Sequence, residues 1–263
     1  MSELVDRTIT VLRSSHDDLD AMVAGLSEAD LQRRSAAADW TVAQVFSHLG
    51  SGAELLSATL EEALTGAEPT ETPEQVWARW NALPPREQAA GFRAADDELV
   101  RRFEALDAQA RANLKIDLGF LGEPLDVAGV GALRLNEVAL HGWDVRAAFD
   151  PAAVVASDAV EFLYRTLDLL IGMIGRPAEL QGRQGVVEVV TTGPARTFWL
   201  DLRETAAITD APATPVVGRL TLPAEAFLRL AAGRLAPERT PPGTILTSDS
   251  LSLDDLRRVF PGF

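Results

Sequence analysis

The chain has 263 residues, 47% of them hydrophobic and 24% charged, which supplies a buried core and excludes a disordered or fibrous protein. A formal net charge of −15 disfavours nucleic acid and anionic membrane surfaces as partners. With no cysteine there is no disulfide, thiolate metal site or cysteine nucleophile, so any thiol chemistry needs a thiol from outside. No apolar run approaches the ~18 residues of a membrane span. The N-terminus carries Glu3 and Asp6 rather than a basic leader, so the expected location is the cytoplasm.

Leu4, Val5, Ile9, Val11, Leu12, Leu19, Met22, Val23 and Leu26 recur at three- and four-residue steps and predict one long amphipathic helix. Thr41 and Gln44 form a capping-box pattern ahead of Val42, Val45, Phe46, Leu49, Leu56 and Leu60, a second helix that closes at Gly66. After a loop over 68–73, a short helix over 74–80 precedes Pro84-Pro85, which heads a third long helix buried along Phe92, Leu99, Phe103 and Leu106. A loop over 120–124 leads to a fourth helix over 126–149, apolar around most of its circumference and therefore central. These elements predict a four-helix bundle over 1–150, with the domain boundary at Asp150-Pro151. Charge divides in the same place: 1–150 holds 13 basic and 26 acidic residues, and 151–263 holds 11 and 13. The second part reads as a helix over 158–174, a hairpin of strands 186–191 and 196–202, a strand over 215–222, and helices over 223–232 and 253–259. That is a small α+β domain over 151–263, with Gly182, Gly185 and Gly193 as turn residues.

The fourth helix carries Arg134, Glu137, His141 and Asp144 at offsets of three, four and three, so all four project from one side of an apolar helix. An ionised carboxylate in such a place is costly unless paired or metal-bound, and Glu137 with His141 has the reach to chelate one cation. His48, on the second helix with Gly52 one turn later leaving room beside it, offers a third ligand. Two histidines and a carboxylate suit an open catalytic site that keeps a position for water or substrate, with Asp144 orienting a ligand from behind. The competing reading has no metal: Arg134 pairs with Glu137 and Asp144 with His141, a self-satisfied network that fixes bundle register. His16, in the polar run Ser14-Ser15-His16-Asp17-Asp18, reads as solvent-facing, and Trp40 and Trp143 as packing anchors or pocket walls. Phosphate-loop, dinucleotide, zinc-protease and serine-hydrolase motifs are absent from the sequence.

Asp39-Trp40-Thr41-Val42 running to His48-Leu49, with Arg134-x-x-Glu137-x-x-x-His141-x-x-Asp144, resembles the mycothiol-dependent maleylpyruvate isomerase family of the DinB-like superfamily. The resemblance implies a DinB-like N-terminal bundle with a divalent metal, zinc first, on His48, Glu137 and His141, followed by a small α+β, sterol-carrier-like domain. It further implies an actinobacterial, cytoplasmic enzyme in which a metal-bound mycothiol thiolate adds to a small electrophile such as a carboxylic acid, for isomerisation or S-transfer. An arginine of the second domain would hold the substrate carboxylate, with Arg203, Arg219 and Arg234 as candidates, and Arg219 and Arg234 are expected with Asp144 as catalytic residues. Nucleic acid and membrane are not expected as partners, and the protein would be a monomer or homodimer. Two other readings stand beside this one: a non-catalytic metal-binding or partner-binding protein, and a thiol-independent metal hydrolase using Glu137 or Asp144.

Overall fold

The computed structural model of the chain describes residues 2–37, 39–211 and 215–262. The chain divides into two compact units, Met1–Asp150 and Pro151–Phe263. Among the described residues no helix is long and apolar enough to cross a membrane.

In the first unit, α1 (Ser2–Ala24), the one-turn α2 (Glu28–Leu31), α3 (Val42–Thr65), α4 (Pro73–Asn81) and α5 (Pro85–Ala105) follow one another. Then come α6 (Ala108–Asn113), a two-stranded ribbon of β1 (Lys115–Ile116) and β2 (Leu125–Asp126), and α7 (Val127–Arg146). The long helices α1, α3, α5 and α7 form the bundle: α1 packs on α5 and α7, and α3 packs on the same two. The starts are chemically marked, with capping boxes at Thr41 and Thr72, Pro85 at the head of α5, and the Asp126 side chain accepting from Gly129 N. The core between them is built from Leu19, Val23, Val45, Phe46, Leu49, Phe92 and Val138, with Phe46 and Phe92 stacked at 5.1 Å. Gly50 lets the Trp80 ring lie against α3, since a Cβ there would fall 2.2 Å from the indole. As its apolar circumference predicts, α7 is buried along most of its length, Trp143 included.

In the second unit, α8 (Ser157–Ile174) is followed by β3 (Val186–Thr192), β4 (Arg196–Asp201), β5 (Ala207–Thr209), β6 (Val216–Pro223), α9 (Ala224–Ala231), β7 (Ile245–Thr247) and α10 (Leu253–Val259). The five strands form one mixed sheet in the order β5-β4-β3-β6-β7, in which only β3 and β6 are parallel. The alternation in Val187, Val189, Leu200, Leu220 and Leu222 sends those side chains into the core, where α9 contributes Phe227. Helix α9 also buries an ion pair within itself, Arg229 donating to both Glu225 oxygens at 2.7 and 2.8 Å and to the Arg239 carbonyl at 2.8 Å.

Candidate metal centre

The Thr41 and Gln44 cap fixes where α3 begins: Thr41 Oγ1 accepts from Gln44 N at 3.2 Å, and Gln44 Oε1 accepts from Thr41 N at 2.8 Å. His48 is thereby set in the second turn, facing α7. There its Nε2 lies 2.9 Å from Glu137 Oε2, while His141 Nε2, one turn further along α7, lies 3.8 Å from the same oxygen. One ligand atom from each of the three residues falls within 4.8 Å of the others, and the two imidazoles meet edge-on at 4.7 Å.

Asp144 completes the arrangement from behind. It has no exposed surface, and its Oδ2 accepts from His141 Nδ1 at 2.9 Å, which leaves the lone pair of Nε2 turned toward Glu137 and His48. Asp144 therefore meets the cluster through His141. Glu137 keeps 44% of its side-chain surface, yet protein crowds its carboxylate and this desolvation pushes the pKa up. The hydrogen bond from His48, with the electrostatic influence of His141, His48 and Arg134, outweighs it and brings the pKa down to about 2, so Glu137 is ionised. Two imidazole nitrogens and an ionised carboxylate are the donor set of a divalent first-row cation, and the pairing of His48 with Glu137 occupies the lone pairs such a cation would take.

Trp40 walls this group, its ring 5.1 Å from His48 and 5.8 Å from His141. The segment that carries it is tied down twice. Ser35 N and Oγ both donate to the Trp40 carbonyl at 2.9 Å, and Ala36 N donates to the Asp144 carbonyl at 3.0 Å.

A second buried polar system lies one turn away and corrects three sequence expectations. His16 is not solvent-facing: it is 4% exposed, and its Nδ1 lies 2.8 Å from Asp96 Oδ2. Arg134 does not pair with Glu137. It donates to Asp96 Oδ1 at 2.7 Å and to the Leu49 carbonyl at 2.8 Å, so one chain of hydrogen bonds joins α1, α5, α7 and α3. Gly52 leaves room for this arginine rather than for a ligand, since a Cβ there would sit 3.2 Å from its Nη1. The signal for His16 and Asp96 was register: His16 follows Leu12 by four and precedes Leu19 by three, and Asp96 stands likewise between Phe92 and Leu99.

Residues 12–146, half of the chain, match the family model described as the mycothiol maleylpyruvate isomerase N-terminal domain. The chain belongs to that family. Two solved structures share the fold of this family member. One, a mycothiol-dependent maleylpyruvate isomerase, is 15% identical with a TM-score of 0.65 over 92% of each chain. The other, a histidine-to-alanine mutant of a mycothiol-dependent maleylpyruvate isomerase, is 17% identical with a TM-score of 0.64, again over 92% of each chain. No curated protein matches with significance.

The arginines that the family resemblance singles out belong to the second unit. Arg219, on β6, is paired at 3.4 Å with Glu188, its neighbour across β3. Arg234 follows α9 and donates to the Ala232 carbonyl at 3.0 Å, and Arg203 forks onto Asp201. The structure thus gathers His48, Glu137, His141 and Asp144 into one cluster within the first unit.

Proposed function

We propose that this chain is a metal-dependent enzyme that uses mycothiol as its thiol and a small electrophile as its substrate, for isomerisation or S-transfer. The observation that carries the reading is the meeting of His48, Glu137 and His141 at one point between α3 and α7. Family membership supports mycothiol as the thiol, and the absence of cysteine from the sequence agrees with a nucleophile supplied from outside. His48, Glu137 and His141 would hold the metal, with zinc the first expectation for this donor set. When bound, a divalent metal supplies Lewis acidity that keeps a coordinated thiol ionised near neutral pH.

The chain's own residues do the rest. Asp144 fixes the tautomer and ring orientation of His141, so Nε2 is presented unprotonated. Glu137, already ionised, offers a ligand without first releasing a proton. Trp40 covers one side of both imidazoles and limits access of water to them. Hydrolysis with Asp144 as general base is disfavoured, because that carboxylate is wholly buried and engaged.

The test is turnover of maleylpyruvate by zinc-reconstituted protein with and without mycothiol. The reading expects turnover that requires the thiol, with free mycothiol recovered for isomerisation or a stable conjugate formed for S-transfer from an electrophile such as monobromobimane. Turnover of either compound by the metal-loaded chain without mycothiol would contradict it.

A further inference from the structure

A buried polar chain that the proposed chemistry does not use lies one turn from the metal ligands. Arg134 stands on α7 three residues before Glu137, and its Nη2 donates both to the Leu49 carbonyl of α3 at 2.8 Å and to Asp96 Oδ1 of α5 at 2.7 Å. Asp96 is held in turn by His16 of α1, whose Nδ1 lies 2.8 Å from Oδ2. Leu49 directly follows His48, and the guanidinium also lies against α3 at Gly52, where a Cβ would sit 3.2 Å from Nη1. One side chain thus spans from the turn of α7 that precedes Glu137 to the turn of α3 that carries His48.

Stability alone does not account for this arrangement. Burying a guanidinium and a carboxylate costs desolvation that their attraction only partly offsets, and apolar side chains of similar volume often serve as well or better. Arg134 moreover keeps a buried Nε without a partner among the described residues, a further desolvation cost with nothing against it. What the chain of bonds supplies is register. Helix α3 packs far more sparsely on α7 than on α5, so apolar contact does little to set the level of His48 against Glu137. His48 and Glu137 are themselves half-exposed, which leaves their positions to whatever holds the two helices from inside. Yet His48 Nε2 and Glu137 Oε2 approach to 2.9 Å, and a ligand set of this kind works only when its donors are held to within about 0.5 Å.

We propose that Arg134 is the positioning residue of the metal centre, clamped by Asp96 and His16 so that it fixes the level of the His48 turn of α3 against the Glu137 turn of α7. Given the metal reading above, on which this assignment rests, convergence of the ligands has a cause outside the ligands themselves. Among the described residues no hydrogen bond or ion pair joins Arg134 to His48 or Glu137, so its action passes through the two helix backbones. An arginine suits the part because its planar fork donates in fixed directions, which a flexible ammonium does not.

The experiment titrates the metal-free full chain with Co²⁺ and reads its visible absorption, which reports the geometry of the donor set, together with affinity by chelator competition. In the triple variant His16→Leu, Asp96→Leu, Arg134→Met the whole network becomes apolar, so urea unfolding should show little loss of stability. Its Co²⁺ affinity should nonetheless fall by about tenfold or more, and its spectrum should change. Phe103→Leu, at a buried bundle position outside the network, should lower the urea midpoint and leave spectrum and affinity at their wild-type values. A wild-type spectrum and affinity in the triple variant would overturn the proposal, as would an equal spectral change in Phe103→Leu. If the triple variant does not fold, Arg134→Lys, which keeps the charge beside Asp96 but not the fork, takes its place with the same two outcomes. A wild type that binds no Co²⁺ would sink the metal reading and this proposal with it. A wild type that binds Co²⁺ while the variants bind it identically would sink this proposal alone.

Discussion

Asp144 and Asp96 are both buried carboxylates of the bundle, yet they do different things. Asp144 is buried against His141, a proposed ligand, so Asp144→Asn should weaken zinc binding by about 10–100-fold with little change in fold, measured by competition with a chromophoric chelator. An unchanged affinity would mean that His141 needs no orienting partner. Asp96 instead joins His16 to Arg134, and Asp96→Ala would strand a buried guanidinium whose Nε already lacks a partner among the described residues. A loss of about 3–5 kcal/mol in urea unfolding is expected, and a loss below about 1 kcal/mol would show that the network does not hold the bundle together. The same network gives a pH signature. Burial pulls the His16 pKa down, but the hydrogen bond and charge of Asp96, with Asp97, outweigh it and hold His16 above its ordinary value. Burial also pushes Asp96 up, and the charge of Arg134 with the hydrogen bonds from His16 and Arg134 holds it below. The His16 contribution is therefore complete below its unfolded pKa of about 6.5 and fades as pH rises through the folded value, whereas that of Asp96 is present above about pH 4 and lost on further acidification. The stability gap between wild type and His16→Gln should shrink as pH is raised from about 6 to about 9. A gap that stays constant or widens would contradict this assignment.

At the scale of elements, the position of the site is decided by where helices begin. The Thr41 cap sets the start of α3 and so the turn from which His48 projects, while the Asp126 cap does the same for Glu137 and His141 on α7. Thr41→Ala should cost about 1 kcal/mol of unfolding free energy, read as a lower urea midpoint at unchanged slope. No loss would mean that packing alone fixes this end. These boundaries were legible because caps, prolines and a three-to-four-residue apolar period are local signals. The one-turn α2, the short α6, the β1-β2 ribbon and the edge strands β5 and β7 were not legible: each is only two to six residues long, too short to show a period. The pairing of His16 with Asp96 is not legible, because polar residues on a buried register look solvent-facing until the partner helix is known. Arg134 was legible as an inward-facing charge, but its partner lies 38 residues away on α5, which no helix-internal spacing reveals.

At the scale of the whole molecule, the chain pairs an acidic helical bundle with a nearly neutral α+β unit and shares the fold of proteins that are at most 17% identical to it. At that distance most positions differ, while the motif around His48, Glu137, His141 and Asp144 is readable in the sequence alone. Physical chemistry accounts for the contrast: a core accepts many apolar combinations of similar volume, whereas a cation admits few donor sets at few spacings. The arginines of the second unit lack such a constraint, and three of them remained equivalent in the sequence for that reason. The proposed activity requires that the cluster between α3 and α7 hold a metal. The most direct test is bound metal per chain by elemental analysis of protein purified without an affinity tag, with His141→Ala in parallel. About one divalent metal per chain in the wild type, lost in the variant, is the result predicted. A wild type that holds no metal even after reconstitution would contradict it, and would reduce His48, Glu137 and His141 to an internal ion-pair network.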